Sequence, residues 1–276
     1  MSRMRPLLAA AILASLAPAA NAADVALARL DCGGAPEPVS VASFSDTMEH
    51  PELRLPLVYS CYLVRHGDRY LVWDTGNAMD GSPRAPKASL VDQLARIDVK
   101  PEVVEFVGIS HHHGDHTGQL AAFPKATLLI GQGDWDDVRP ADAPAGVDPK
   151  AHATRRAPFA AWTSGGGKVQ PLARDRHDVF GDGSVLMISL PGHTPGHHGL
   201  LVKLAKAGNV LLTGDVTHFH ENYRSDGIPT WNSNRADSLA SLDRFRKLAK
   251  NIKATVIIQH DPRDVAKLPV FPEFAR

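Results

Sequence analysis

Residues His111-His112-His113-Gly114-Asp115-His116 carry the pattern HxHxDH and directly follow an apolar run ending at Ile109-Ser110. In an extended segment His111 and His113 project to the same side, while a helix starting at Asp115-His116 swings two further donors beneath them. Four donors then converge from six residues, an arrangement suited to two adjacent cations. Further donors stand where other apolar runs end: His193 in Pro191-Gly192-His193-Thr194-Pro195-Gly196, Asp215 in Leu212-Thr213-Gly214-Asp215, and His260 in Ile258-Gln259-His260-Asp261. Five imidazoles and two carboxylates, with no thiolate, form an N/O donor set suited to Zn, Fe, Mn or Co. An isolated histidine is ordinarily a surface or satisfied core residue. A His-rich tract that bound metal by chance would leave the placement of His193, Asp215 and His260 unexplained.

Strands must deliver these donors to one rim. Leu57–Val64 and Tyr70–Trp73 read as a hairpin turned by His66-Gly67-Asp68-Arg69, with Asp74-Thr75-Gly76 closing the second strand. Ser89 is placed to cap a helix running through Leu94 and Ile97. Val103–Ser110 and Ala126–Ile130 read as buried strands; Ser184–Leu190, Gly199–Leu204, Val210–Thr213 and Ala254–Ile258 supply four more. Ser238, Leu239, Leu242, Phe245 and Leu248 mark one face of an amphipathic helix. From Pro140 to Gly167 the chain is rich in Ala, Pro and Gly without a period, and is expected to be a long surface loop or lid.

The chain has 276 residues, 30 Lys+Arg against 30 Asp+Glu, and 43% hydrophobic content. That composition describes a globular protein and argues against disorder. It offers no basic excess to neutralise a phosphate backbone, so nucleic acid is not an expected partner. The 14 His are about twice average usage, in line with metal or proton chemistry. Arg3 and Arg5 precede an apolar stretch from Leu7 to Leu16, and Ala20-Asn21-Ala22 matches an A-x-A cleavage site. Residues 1–22 therefore read as a signal peptide, residues 23–276 as a single catalytic domain, and the destination as periplasmic or secreted. The apolar stretch is too short to cross ~30 Å of hydrocarbon, and no membrane span is expected. Cys32 and Cys61 fit either one disulfide or two buried thiols, because spacing does not set their separation.

From about Tyr59 to the C-terminus, HxHxDH followed by Gly-His-Thr-Pro-Gly, Thr-Gly-Asp and Gln-His-Asp resembles the metallo-β-lactamase-fold hydrolases. The resemblance implies an α/β fold, an αββα sandwich of two mixed sheets with helices outside. It places His111, His113 and His193 on one metal, Asp115, His116 and His260 on the other, and Asp215 between them. The implied cofactors are two divalent metal ions, zinc first, with Fe, Mn or Co as alternatives. By the same resemblance His112 faces away, His197 and His198 support the site, and Asp74 orients metal ligands from behind.

Within that superfamily the closer likeness is to quorum-quenching N-acyl-homoserine lactone lactonases. It is carried by Asp215-Val216-Thr217-His218-Phe219-His220-Glu221-Asn222-Tyr223 and by Val270-Phe271-Pro272-Glu273-Phe274. It implies a metal-dependent hydrolase that opens the lactone ring, with Asp115 as proton shuttle. Those lactonases commonly carry a Tyr three residues after the bridging Asp, where it hydrogen-bonds the substrate carbonyl. Here His218 stands at that position and is expected to take the role. Met48, Met79, Phe159, Trp162, Tyr223 and Trp231 are the apolar and aromatic candidates for substrate contact. The expected partners are a small-molecule ester or lactone and a second copy of the chain. An exported arylesterase or an organophosphate hydrolase similar to methyl parathion hydrolase would share all seven ligands. A β-lactamase is disfavoured by Asp215, and a non-catalytic metal-binding protein by the completeness of the donor set.

Overall fold

The computed structural model describes residues 24–276. The signal-peptide expectation for residues 1–22 lies outside them. Strand β1 (Val25–Gly34) opens the fold, followed by the short pair β2 (Val39–Ser40) and β3 (Arg54–Leu55) and by the hairpin β4 (Val58–His66) and β5 (Arg69–Trp73). The hairpin is the expected one, with His66 paired to Arg69 across Gly67-Asp68. Next come β6 (Phe106–Gly108), β7 (Thr127–Gly131) and β8 (Val169–Leu172), which complete a six-stranded sheet of order β1-β4-β5-β6-β7-β8. Strands β9 (Arg176–Asp178), β10 (Val185–Ser189), β11 (His198–Leu204), β12 (Gly208–Leu212) and β13 (Thr255–Ile257) form a second sheet of order β13-β12-β11-β10-β9.

Alternation along the strands makes the layers, because successive side chains leave opposite faces. Tyr62, Val64, Leu71 and Trp73 from the first sheet meet Met187, Leu200, Val202, Val210 and Leu212 from the second in one core. Leu63 and Val72 point the other way, into a core with α1 (Leu90–Ala95). Leu201 and Leu211 do likewise on the far side, where Leu242 and Phe245 of the long helix α7 (Arg235–Asn251) pack. Three cores between four layers are the expected αββα sandwich. Strands β5 to β8 run parallel, β12 is parallel to β13, and β10 and β12 share a direction because both are antiparallel to β11. Within each sheet these strands therefore end on a common rim, where the donors follow them.

The remaining helices are α2 (Gly114–Thr117), α3 (Gln132–Val138), α4 (Pro149–Arg156), α5 (Ala160–Thr163), α6 (His220–Ser225), α7 (Arg235–Asn251) and α8 (Pro262–Val265). Helices α4 and α5 correct the expected loop over 140–167: Asp148 caps α4 by accepting from the backbone N–H groups of Lys150 and Ala151, with Pro149 at its first turn. The expected strand over Val103–Ser110 shrinks to β6, because Pro101–Val103 form a 3-10 turn and Val103 is exposed. Ser89 caps α1 as expected, accepting from the Asp92 N–H. Cys32 on β1 and Cys61 on β4 are paired in a disulfide, with Cα atoms 5.8 Å apart. No helix among the described residues is long and apolar enough to cross a membrane.

Candidate metal centre and active site

His111 and His113 leave the end of β6, and the short helix α2 turns Asp115 and His116 back toward them. His193 arrives after β10, Asp215 after β12 and His260 after β13, so all seven expected donors meet at one rim. Two groups form. The Nε2 of His111 lies 2.9 Å from the Nδ1 of His113 and 3.2 Å from the Nε2 of His193, which is 3.0 Å from the same Nδ1 of His113. In the second group the Nε2 atoms of His116 and His260 lie 3.2 and 2.9 Å from Asp215 Oδ1, with Asp115 Oδ2 at 3.7 and 3.9 Å from those nitrogens. The other oxygen of Asp215, Oδ2, faces the first group, 3.4 Å from His193 Nε2 and 3.8 Å from His111 Nε2. One carboxylate thus addresses both groups.

The residues fit a pair of metal ions. Three ring nitrogens 2.9, 3.2 and 3.0 Å apart come within a few tenths of an ångström of the edges, roughly 3.3 Å, of a coordination tetrahedron with bonds of about 2.0–2.1 Å. The opposite ring nitrogens are engaged by acceptors: His193 Nδ1 lies 2.8 Å from Asn232 Oδ1, His116 Nδ1 2.9 Å from Asp74 Oδ2, and His260 Nδ1 2.8 Å from the Val58 carbonyl. Those acceptors place the ring hydrogen on Nδ1 and aim the Nε2 lone pair inward. Burial drives the His111 and His193 imidazoles well below their ordinary range, which keeps them neutral. Burial would raise the Asp215 carboxyl, yet His260 and His116 overcome it and hold it well below the carboxylate range. His116 Nε2 is buried without a hydrogen-bond partner. Convergent lone pairs around one buried carboxylate are a site for cations.

Several supports were legible beforehand and others were not. Asp74 does stand behind His116, and its Oδ1 also accepts from the Ser110 N–H at 2.6 Å. It holds a left-handed backbone, φ 56°, at the turn after β5. His112 faces away, toward Asp137, and His197 accepts from the Asp215 N–H at 2.8 Å. Burial pushes His197 down to about 3, so it acts as a neutral acceptor there. His198 is buried with its Nδ1 2.7 Å from the Gly196 carbonyl. Asp134, on α3, was not anticipated. Its carboxylate accepts from the N–H groups of His112 and Gly196 and from the Thr194 hydroxyl, tying the two ligand loops together. Gln259 is a second unforeseen tie, donating to Asp74 and accepting from the Trp73 indole and the Gly214 N–H. Gly192 has φ 134°, and a Cβ there would meet Ser238 N at 2.3 Å, so only glycine lets α7 close against the His193 loop.

A cavity of about 300 Å³ opens onto Asp115, His113, His193, Asp215, His218 and His260. Its outer wall comes from Val39, Phe44, Leu57, Tyr59, Arg84 and Trp231. Trp231 is thus the expected substrate contact that the fold brings to the cavity, edge-on to Phe44. The other five candidates do not line this cavity. Phe159 is fully buried in the outer core, and the Trp162 indole, also in that core, donates to the Ala126 carbonyl. Tyr223 packs on Phe245 under the Arg246 guanidinium. Met48 and Met79 are exposed, at 70% and 49%, and line neither wall. Phe44 and Tyr59 are cavity-wall residues outside the expected set; Tyr59 sits on the expected hairpin strand, but its edge-on approach to His260 is a tertiary contact with no local signal.

An open α/β rim, a shared carboxylate and two clusters of imidazoles define a metal-dependent hydrolase scaffold. The chain belongs to the metallo-beta-lactamase superfamily, whose family model matches residues 54–260. An N-acyl homoserine lactonase, AttM, from Rhizobium radiobacter is 30% identical over 243 residues, covering 77% of this chain and 85% of the relative. The solved structure of an N-acyl homoserine lactone hydrolase, with the product N-hexanoyl-L-homoserine at its catalytic metal centre, superposes with TM-score 0.72. That pair is 20% identical, over 91% of this chain and 98% of the other. AidC, described as a dizinc quorum-quenching lactonase, superposes with TM-score 0.69 at 17% identity, over 92% and 90% of the two chains. At such identities these structures speak for the fold.

Proposed function

We propose that this enzyme opens the lactone ring of N-acyl-homoserine lactones. The observation that carries the reading is the joint presence of both donor groups around Asp215 and a 300 Å³ cavity with one polar and one apolar wall, in a chain similar to named lactonases over most of its length.

His111, His113 and His193 would hold one divalent ion, Asp115, His116 and His260 the other, with Asp215 shared; zinc is the metal this N/O set is assigned. When bound, such a pair supplies a nucleophile at neutral pH and Lewis-acid polarisation of an ester carbonyl. The protein residues do the rest. Phe44, Leu57 and Trp231 present an apolar wall to the acyl chain, which leaves the polar ring directed at the imidazoles. Asp115 keeps its side chain part-exposed at the cavity floor, where its carboxylate can carry a proton from the attacking water to the ring oxygen. Water adds to the carbonyl carbon, the ring C–O bond breaks, and the product is the open N-acyl homoserine. Asp74, Gln259 and Asp134 hold the donors in place throughout.

The assigned location is periplasmic or secreted: the paired Cys32 and Cys61 support it, since oxidising compartments preserve such bonds. The deciding experiment is a hydrolysis panel of acyl lactones, aryl esters, organophosphates and β-lactams with zinc-reconstituted enzyme. Acyl lactones should be the preferred class; failure to open any of them, with turnover of aryl esters or phosphotriesters, would transfer the function to an esterase or phosphotriesterase.

A further inference from the structure

His218 stands where a donor to the substrate carbonyl is expected, but both of its ring nitrogens are turned elsewhere. Its Nε2 lies 3.2 Å from Asp215 Oδ2, and its Nδ1 is buried with no partner. A neutral imidazole carries one N–H. On Nε2 that hydrogen goes to Asp215; on Nδ1 it is sealed from the cavity. The ring is held so by Phe44, tilted against it at 4.6 Å between centroids, and by His260, within 7° of parallel at 5.4 Å.

Outside the two donor groups, the cavity is lined by three other side chains that can donate: Tyr59, Arg84 and Trp231. Arg84 and Trp231 are exposed. Tyr59 is buried, yet its hydroxyl has no hydrogen-bond partner among the described residues and is not sealed off. Tyr59 also borders a second cavity, beside Arg29, Asp31 and Arg96. The charged side chains that act most on its phenol are instead Asp115, Arg84 and Asp215, all of which line the cavity of the metal centre. The hydroxyl therefore faces that cavity.

The backbone on either side fixes the ring. Val58 accepts from His260 Nδ1 at 2.8 Å and donates its N–H to the His260 carbonyl at 3.1 Å, while the Ser60 hydroxyl donates to the Gln259 carbonyl at 2.6 Å. Both neighbours of Tyr59 are thus tied to the segment that carries His260, and the phenol ring stands edge-on to that imidazole at 5.4 Å.

We propose that the Tyr59 hydroxyl donates the hydrogen bond to the carbonyl oxygen of the ester under attack, in place of His218. This rests on ester hydrolysis in this cavity, the function proposed above. A donor already fixed in place needs no reorganisation as negative charge grows on that oxygen.

The test is Tyr59→Phe, which removes only the hydroxyl and keeps the ring beside His260. Circular dichroism and zinc analysis check folding and metal load. On an acyl-homoserine lactone, kcat should fall about 100–1000-fold at wild-type zinc content, with KM within about threefold. Wild-type kcat in Tyr59→Phe would overturn the proposal, and a loss confined to His218→Phe at full zinc load would hand the donor to His218. A raised KM at unchanged kcat would also overturn it, making Tyr59 a binding contact alone. Turnover lost in proportion to zinc would overturn it by making Tyr59 a support of His260. A wild type that hydrolyses aryl esters but no acyl lactone would remove the lactone reading only; the same fall in Tyr59→Phe on the aryl ester would still support the donor. A wild type that acts on no carboxylic ester would overturn both.

Discussion

Asp74 Oδ2 lies 2.9 Å from His116 Nδ1, and both side chains are almost wholly buried. The carboxylate fixes which ring nitrogen carries the hydrogen, and so aims the other at Asp215. An Asp74→Ala variant should therefore lose about 10–100-fold in affinity for the ion assigned to His116. Chelator competition on the folded variant checks this; wild-type affinity would show that His116 needs no orienting partner.

The protein reconstituted with zinc should hold about two ions per chain, because donors gather in two groups that share one carboxylate. Elemental analysis showing one ion or none would sink the dinuclear assignment.

Replacing Asp215 by Asn keeps the size of the side chain and removes its charge from between the imidazoles. Turnover should fall by at least about 10–100-fold, with weaker binding of both ions, since Oδ1 and Oδ2 address different groups. Full turnover at full occupancy would take Asp215 out of the centre.

Asp134→Ala should act on stability. It strands the buried N–H groups of His112 and Gly196 and the Thr194 hydroxyl, each unmet donor costing about 1–3 kcal/mol. Urea denaturation at matched metal load should show a loss of about 3 kcal/mol or more. A loss below about 1 kcal/mol would mean that the two ligand loops hold together without this tie.

The disulfide closes a sequence separation of 29, which in the chain-entropy account stabilises by about 3–4 kcal/mol. A Cys32→Ala/Cys61→Ala variant should unfold correspondingly earlier in denaturant, with the metal centre still able to load. Equal stability of the two proteins would show that the strand pair β1–β4 already holds these positions.

The order of amino acids determined the donor set, the hairpin and the amphipathic α7. Each is encoded locally: apolar runs end where His111, His193, Asp215 and His260 begin, and a three- and four-residue period marks the buried face of α7. It also determined that Asp74 would stand behind the ligands, through the likeness of its turn to a known family. The tertiary structure alone decided which aromatics line the cavity. Phe159 and Trp162 went into the outer core and Phe44 and Tyr59 onto the cavity wall, because that choice depends on which face of a neighbouring layer covers each residue. It alone paired Cys32 with Cys61, since only the β1–β4 register brings their Cα atoms to 5.8 Å. Asp134 and Gln259 were beyond local reading for the same reason: their partners lie up to 62 and 199 residues away in the chain. The direction of the His218 ring belongs to this class too, fixed by Phe44 from one segment and Asp215 from another.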